Sequence, residues 1–171
     1  MEIINGILLS LIAYFGVLVG LFIANMTKQE VRQGHNLILL LKEAIILMII
    51  MLFLYYTSND LLLISIGLAV GLLLGYVFRY IYFYLGIPMS LSFFISQDLL
   101  VSSLIFLFGL PHGSLMSYLS KKEVHVYLIK SLIFFSIPFI SLLIPIDIGI
   151  FDVLTGVMIG GLIYELKWPF S

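Results

Sequence analysis

The side chains that could do chemistry in this sequence lie inside strongly apolar segments. Asp98 follows Gln97 at the start of one such segment, and Asn5 is the polar residue at the corresponding place in the first segment. An ionisable group at the centre of a bilayer costs about 2.5–3.5 kcal/mol on insertion scales and usually faces a bundle interior. We interpret Asp98, Gln97 and Asn5 as ion ligands or proton carriers of a transport path. The alternative for Asp98 is a helix cap after Ser96, at the membrane interface.

The tripeptide Pro111-His112-Gly113 lies further along the same apolar segment. Proline removes a backbone donor and clashes with the preceding turn, so Pro111 and Gly113 predict a helix break. Non-helical backbone at membrane depth persists only inside protein or beside a cavity. His112 could then accept a proton or bind a ligand on the transport path. If the helix ends earlier, the tripeptide is a loop turn.

Further charged residues fall inside apolar segments and could form charged pairs: Lys42, Glu43, Arg79, Lys130 and Asp152. Lys42 and Lys130 stand within two turns of a helix start, where a lysine can extend its ammonium to the headgroups. As equivalent positions of a repeat they could also bind an anion. Glu43 and Arg79 are interpreted as structural partners or interface anchors. Asp152 is expected to lie shallow enough to reach the headgroups, one turn after a helix cap at Asp147.

Several other chemistries are excluded or weakly supported. The absence of cysteine excludes disulfides, thiolate metal sites and thiol redox chemistry. The three histidines lack a metal-ligand spacing such as HExxH, so neither a metal nor a cofactor is predicted. Asp98 and Asp152 could be the pair of an intramembrane aspartyl protease, but the Gly-x-Gly-Asp motif of the presenilin and prepilin-peptidase families is missing.

The composition explains why these residues sit in apolar surroundings. The chain has 171 residues, of which 63% are hydrophobic and 10% are charged, and its mean hydropathy is +1.24. Soluble domains are about 45–50% apolar and about 25% charged. A soluble domain, a disordered chain and a nucleic-acid binder are therefore excluded. The sequence predicts an all-α integral membrane protein whose partner is the lipid bilayer, and its residue usage points to a prokaryotic cell membrane.

Six segments have the roughly 20 apolar residues that a spanning helix needs. They run from about Ile3 to Met26, Leu37 to Tyr56, Leu61 to Tyr84, Ser96 to Leu119, His125 to Ile144 and Ile148 to Leu166. The third is expected to stop at Gly86-Ile87-Pro88, and the fifth contains Pro138.

The two halves of the sequence match each other. The pattern Gly-x3-Gly-x6-[ST]-K-x-E-V begins at Gly16 and again at Gly109, which is an offset of 93 residues. We therefore predict two three-helix repeats, 1–86 and 87–171, within one membrane domain. Because three is odd, the second repeat is expected to have inverted topology, as in many transporters. This topology leaves four basic residues on each side of the membrane, so the positive-inside rule gives no orientation.

Glycines recur at i, i+4 spacing, which places two of them on one helix face and lets helix backbones approach closely. They are Gly16, Gly20, Gly67, Gly71, Gly75, Gly109, Gly113, Gly156 and Gly160. The crossing they predict lies within the chain or between chains, so a homodimer through a GxxxG face is a second expectation.

The leading functional hypothesis is a small transporter or channel for an ion or small solute, with its path between the two inverted halves. The first alternative is a non-catalytic subunit of a larger membrane complex. The second and least favoured is an intramembrane enzyme that acts on lipid or peptide. Substrate, orientation and oligomeric state are not encoded in these patterns.

Overall fold

The structure is a computed structural model and describes residues 2–58, 60–119, 121–143 and 146–167, all of which belong to helices or their links. The helices are α1 Glu2–Met26, α2 Lys28–Gln33, α3 His35–Tyr56, α4 Leu61–Val77, α5 Ile81–Ser92, α6 Asp98–Met116, α7 Lys121–Ser136, the 3-10 helix η1 Ile137–Leu143, and α8 Ile148–Lys167.

Among the described residues, five helical stretches are long and apolar enough to cross a membrane, which confirms the membrane-helix class. They are Leu8–Met26, His35–Tyr56, Asp98–Met116, Glu123–Ser141 and Ile148–Leu166. Two shorter apolar helices, α4 and α5, occupy the place of the predicted third span.

The prediction of one continuous span from Leu61 to Tyr84 is wrong. The α-helix ends at Val77, and Phe78 and Tyr80 are extended before α5 begins. The rings of both residues pack on Phe134, with centroid distances of 6.1 and 4.3 Å. Aromatic packing therefore stabilises a helix break that no glycine or proline in this link predicts. The predicted stop at Pro88 is also wrong, because α5 continues to Ser92.

The helix break predicted at Pro111 and Gly113 is absent. Helix α6 runs through both residues to Met116. A proline costs a membrane helix one backbone hydrogen bond, and neighbouring hydroxyls and helices can satisfy freed carbonyls. Pro111 and Gly113 are both buried within the helix packing. The fifth predicted span does change at its proline, since α7 gives way to η1 one residue before Pro138.

The chain divides into two compact units. The first contains Met1–Ile49 and Ser96–Ile129, and the second contains Ile50–Ile95 and Lys130–Ser171. Each unit thus takes helices from both predicted halves of the sequence.

The first unit is built on a glycine contact between α1 and α6. A Cβ added to Gly16 or Gly20 would lie within 3.0 Å of the backbone of Phe106 or Leu110, respectively. Gly109 in turn lies against the backbone of Gly16 and Val17. The two backbones therefore touch, as the sequence predicted for these residues.

The second unit repeats this arrangement with α4 and α8. A Cβ on Gly67 or Gly71 would lie within 3.0 Å of the backbone of Val153 or Val157. Gly160 packs against the Leu68 carbonyl in the same way. Gly75 differs, because its neighbour on α8 is the side chain of Tyr164.

Both glycine contacts join helices that run in the same direction. Along α1 from residue 16 to 20, the contact on α6 advances from 106 to 110. Along α4 from 67 to 71, the contact on α8 advances from 153 to 157. Equivalent helices of an inverted repeat would point opposite ways across the membrane. These contacts therefore contradict the inverted-topology prediction for these helices, which was based on three spans in each repeat.

The glycine faces are also covered inside the chain. Gly16, Gly20, Gly67, Gly71 and Gly160 are all buried, and each meets another helix of its own unit. Because these faces are already covered, the structure does not support the expected homodimer through them.

Alanine at Gly16 or Gly71 should destabilise the protein by about 1–3 kcal/mol, because the new methyl group must push two backbones apart. The measurement is thermal unfolding of the purified protein in detergent. The matched control is Gly149→Ala, where a Cβ would make only ordinary contacts at 3.5 Å. If Gly16→Ala and Gly149→Ala unfold at the same temperature, the close backbone contact is not present in the membrane protein.

Candidate functional site

The first unit holds a buried cluster of polar side chains centred on His112. This residue of α6 is 3% exposed, and its Nε2 lies 3.1 Å from the Tyr127 hydroxyl of α7. Phe108, one turn earlier on α6, stacks on the imidazole with a centroid distance of 5.4 Å. Lys42 of α3 is also 3% exposed and is close enough for its charge to act on His112. An imidazole, a phenol and an ammonium thus share one region of the bundle.

The glycine contact between α1 and α6 positions this cluster. Tyr14 of α1 is buried, and its hydroxyl donates to the Leu128 carbonyl of α7 at 2.7 Å. This bond joins α7 to α1 next to Tyr127. The Ser114 hydroxyl of α6 also donates to the Gly20 carbonyl of α1 at 3.2 Å. Hydrogen bonds of this kind stabilise contacts between membrane helices, where lipid supplies no hydrophobic driving force.

The second unit holds a buried carboxylate at Asp152 of α8. Asp152 has no exposed surface, and it accepts hydrogen bonds from the Ser58 backbone N–H at 3.1 Å and from the Ser58 hydroxyl. The expectation that Asp152 reaches the headgroups is therefore wrong. The residue instead connects α8 to the link that follows α3. The adjacent Phe151 stacks on Phe53 of α3 at 6.3 Å, which reinforces the same connection.

A second acidic group of this unit is buried near the other end of α8. Glu165 is 9% exposed and lies close enough to Tyr84 of α5 for its charge to act on the phenol. The Tyr84 hydroxyl donates to the Phe78 carbonyl at 3.1 Å, and its ring packs against Gly161. Tyr84 therefore joins the break before α5 to α8.

The predicted path residues lie at opposite ends of α6. Asp98 is its first residue and is partly exposed, Gln97 precedes it, and the side chain of Asn5 lies outside the described residues. His112 is about 21 Å from Asp98 along the helix, at 1.5 Å per residue. Asp98 and His112 therefore do not form a single binding site.

The predicted charged partners divide by burial. Lys42 and Asp152 are buried, whereas Glu43, Arg79 and Lys130 are exposed. Lys42 and Lys130, which the repeat makes equivalent, thus have different surroundings.

Sequence reasoning missed Tyr127, Ser58 and Tyr84. Each is a common residue in or beside an apolar helix, and no motif distinguishes it. Only the packing of helices distant in sequence reveals these contacts. The one available signal was that Ser58 belongs to the polar turn after α3.

No protein-family model, curated protein or solved structure matches the chain. Within the described residues, no group of three or more His, Asp or Glu side chains could hold a metal ion. The side chains of the His112 cluster can carry protons, through His112 and Tyr127, and can stabilise charge at membrane depth.

Removing the Asp152 carboxylate should cost about 1–3 kcal/mol of stability, because the Ser58 donors lose a charged acceptor. Ser58→Ala should cost less than Asp152→Ala, since the backbone N–H of residue 58 remains to bond the carboxylate. Thermal unfolding in detergent measures both variants. Equal unfolding temperatures for the wild type and Asp152→Ala would contradict the structural role of this carboxylate.

Proposed function

We propose that the protein is a small membrane transporter or channel for an ion or small polar solute. The observation that carries this proposal is the buried His112–Tyr127 pair, with Lys42 nearby, on helices of membrane-spanning length. Ionisable residues inside spans are costly to insert and usually serve ion paths, proton relays or substrate sites. Apolar side chains at these positions would stabilise the helix bundle without the free-energy cost of inserting an ionisable group.

The His112–Tyr127 pair suits proton transfer along the path. Imidazole can both accept and donate a proton, and the phenol hydroxyl at 3.1 Å provides a neighbour for the exchange. Lys42 adds a positive charge that favours an anionic solute or opposes a second proton. Asp98 remains the proposed acidic group at the start of α6, with Gln97 next to it in the sequence and Asn5 at the matching position of the repeat.

The path does not run between α1 and α6 at their glycines. A single added methyl group would already clash with the facing backbone at Gly16 and Gly20, so neither an ion nor water fits there. We place the path beside His112, on the side of α6 that faces Tyr127 of α7.

The internal repeat is retained in a different form. Helices α1, α3 and α4 would correspond to α6, α7 and α8, in parallel rather than inverted orientation. What supports this form is that both glycine contacts pair equivalent helices, α1 with α6 and α4 with α8, and that both pairs are parallel. Parallel repeats also occur in membrane transporters. Helix α5 would then be the single connecting element between the repeats.

The functional test is flux into liposomes that contain the purified protein and a trapped pH-sensitive dye, pyranine. Gradients of sodium chloride, potassium chloride and potassium phosphate are the probes. We expect at least one gradient to move protons. Replacement of His112 by alanine or Lys42 by methionine should lower the initial rate by about tenfold or more, because a positioned proton carrier or charge is removed.

Matched controls use the exposed residues of the same types. His125→Ala and Lys130→Met remove a histidine and a lysine from exposed positions of α7, and both should retain the wild-type rate within about a factor of two, as surface substitutions generally do. If His112→Ala and Asp98→Asn both leave a measurable flux unchanged, the proposed path is wrong.

Purification in mild detergent, followed by native mass spectrometry, separates this proposal from the alternatives. A transporter should appear alone or as a small homo-oligomer. Stoichiometric co-purification with other membrane chains would instead favour the subunit hypothesis and would move the function to that complex. The hypothesis of an intramembrane enzyme requires turnover of a lipid or peptide by the protein alone.

A further inference from the structure

The direction of the helices determines which links share a side of the bilayer. In the first unit α1 and α6 are parallel, so their C-terminal ends lie at the same end of the pair. His35, which follows α2, contacts Tyr118, which follows α6, with a ring centroid distance of 5.7 Å. The links after α1 and after α6 therefore lie at the same end of this unit.

The starts of α4 and α8 share an end of the second unit in the same way. Asp60 accepts from the Leu62 backbone N–H at 3.1 Å and begins α4, while Asp147 accepts from the Ile150 N–H at 2.7 Å and begins α8. Leu63 and Gly149 line one shallow groove between the two helix starts. The two links thus lie at one end, and each carries an aspartate as helix cap.

Helix α5 runs in the same direction as the end of α7 and η1. Tyr80 contacts Phe134, Tyr82 contacts Phe135, and Gly86 lies against Pro138. The contact therefore advances along both segments together. Because α7 follows α6 and leads to the link before α8, α5 also runs toward the side where α8 begins.

These directions agree only if α5 returns the chain through the membrane. After α1, α3 and α4 have crossed in turn, α6 can be parallel to α1 only when residues 78–97 cross back. Helix α5 is about 18 Å long at 1.5 Å per residue, shorter than the roughly 30 Å hydrocarbon core. Eleven of its twelve residues are buried. A short helix with extended links is tolerated at membrane depth when protein surrounds it.

With seven crossings, the basic residues collect toward one side of the membrane. The links after α1, α4 and α6 and the end of α8 fall on one side. Lys28, Arg32 and Arg79 lie in these links, Lys121 and Lys122 begin α7, and Lys167 ends α8. Lys42 lies in the half of α3 nearer that side, and Lys130 lies in the nearer half of the span that α7 and η1 form together, residues 121–143. All eight Lys and Arg residues therefore lie toward one side. The opposite side has Asp60, Asp98 and Asp147 at helix starts.

We infer that the chain crosses the membrane seven times and that the side with the basic links is the cytoplasmic face, against the anionic lipid headgroups of that leaflet. The positive-inside rule places short loops rich in Lys and Arg in the cytoplasm. Anionic lipids of the cytoplasmic leaflet attract such residues by about 1 kcal/mol each. This inference does not depend on transport and holds whichever solute the protein moves.

The absence of cysteine makes the test direct, since each introduced cysteine is the only thiol. Four variants place one thiol at exposed positions: Gln29→Cys, Ser96→Cys, Glu123→Cys and Ile148→Cys. Intact bacterial cells that express each variant are treated with a membrane-impermeant maleimide, before or after permeabilisation. The size-exclusion profile in detergent establishes that each variant folds.

We expect the variants at Ser96 and Ile148 to be labelled in intact cells. Those at Gln29 and Glu123 should be labelled only after permeabilisation. An inverted six-span chain would place Gln29 and Glu123 on opposite sides, so labelling of only one of these two in intact cells overturns the sevenfold crossing. Labelling of Gln29 and Glu123 but not of Ser96 and Ile148 overturns the orientation.

Discussion

The structure depends on backbone contact between glycine-bearing helices. Lipid tails are as apolar as leucine side chains, so the hydrophobic effect does not drive helices together inside a bilayer. Helices associate there through close packing and hydrogen bonds. Gly16 and Gly109 let α1 meet α6, and Gly71 and Gly160 let α4 meet α8. Each glycine contact fits in only one register and one direction. It therefore determines which residues far apart in the sequence become neighbours.

The glycine contacts position the buried polar side chains. Once α1 and α6 are joined, Tyr14 can bond the Leu128 carbonyl, and α7 then brings Tyr127 to His112. In the second unit, the parallel course of α8 beside α4 places Asp152 against Ser58 at the end of α3. Polar atoms at membrane depth must find partners inside the protein. The same contacts that position the proposed site therefore also give the Tyr14 hydroxyl and the His112 Nε2 atom their hydrogen bonds.

Hydropathy predicted most of the helices and failed where packing overrides local signals. Residues 78–80 break a continuous apolar stretch where the rings of Phe78 and Tyr80 pack on Phe134, whereas Pro88 and Pro111 do not break α5 and α6. The spacing of glycines indicated close contacts but not their direction. His112 and Asp98 were recognised by residue type alone, and their separation along α6 shows that residue type does not establish a shared site.

The direction of α5 determines on which side of the membrane the later basic residues lie. With six alternating spans, the eight basic residues divide equally between the two faces, and no orientation follows. One additional crossing by α5 changes the side of every later link and brings Lys121, Lys122 and Lys167 to the side of Lys28 and Arg32. The crossing by this almost wholly buried helix of twelve residues thus decides whether the basic residues divide equally between the two faces or collect on one of them. Such an element is too short for hydropathy to recognise, and its packing against Phe135 and Pro138 is what reveals its course.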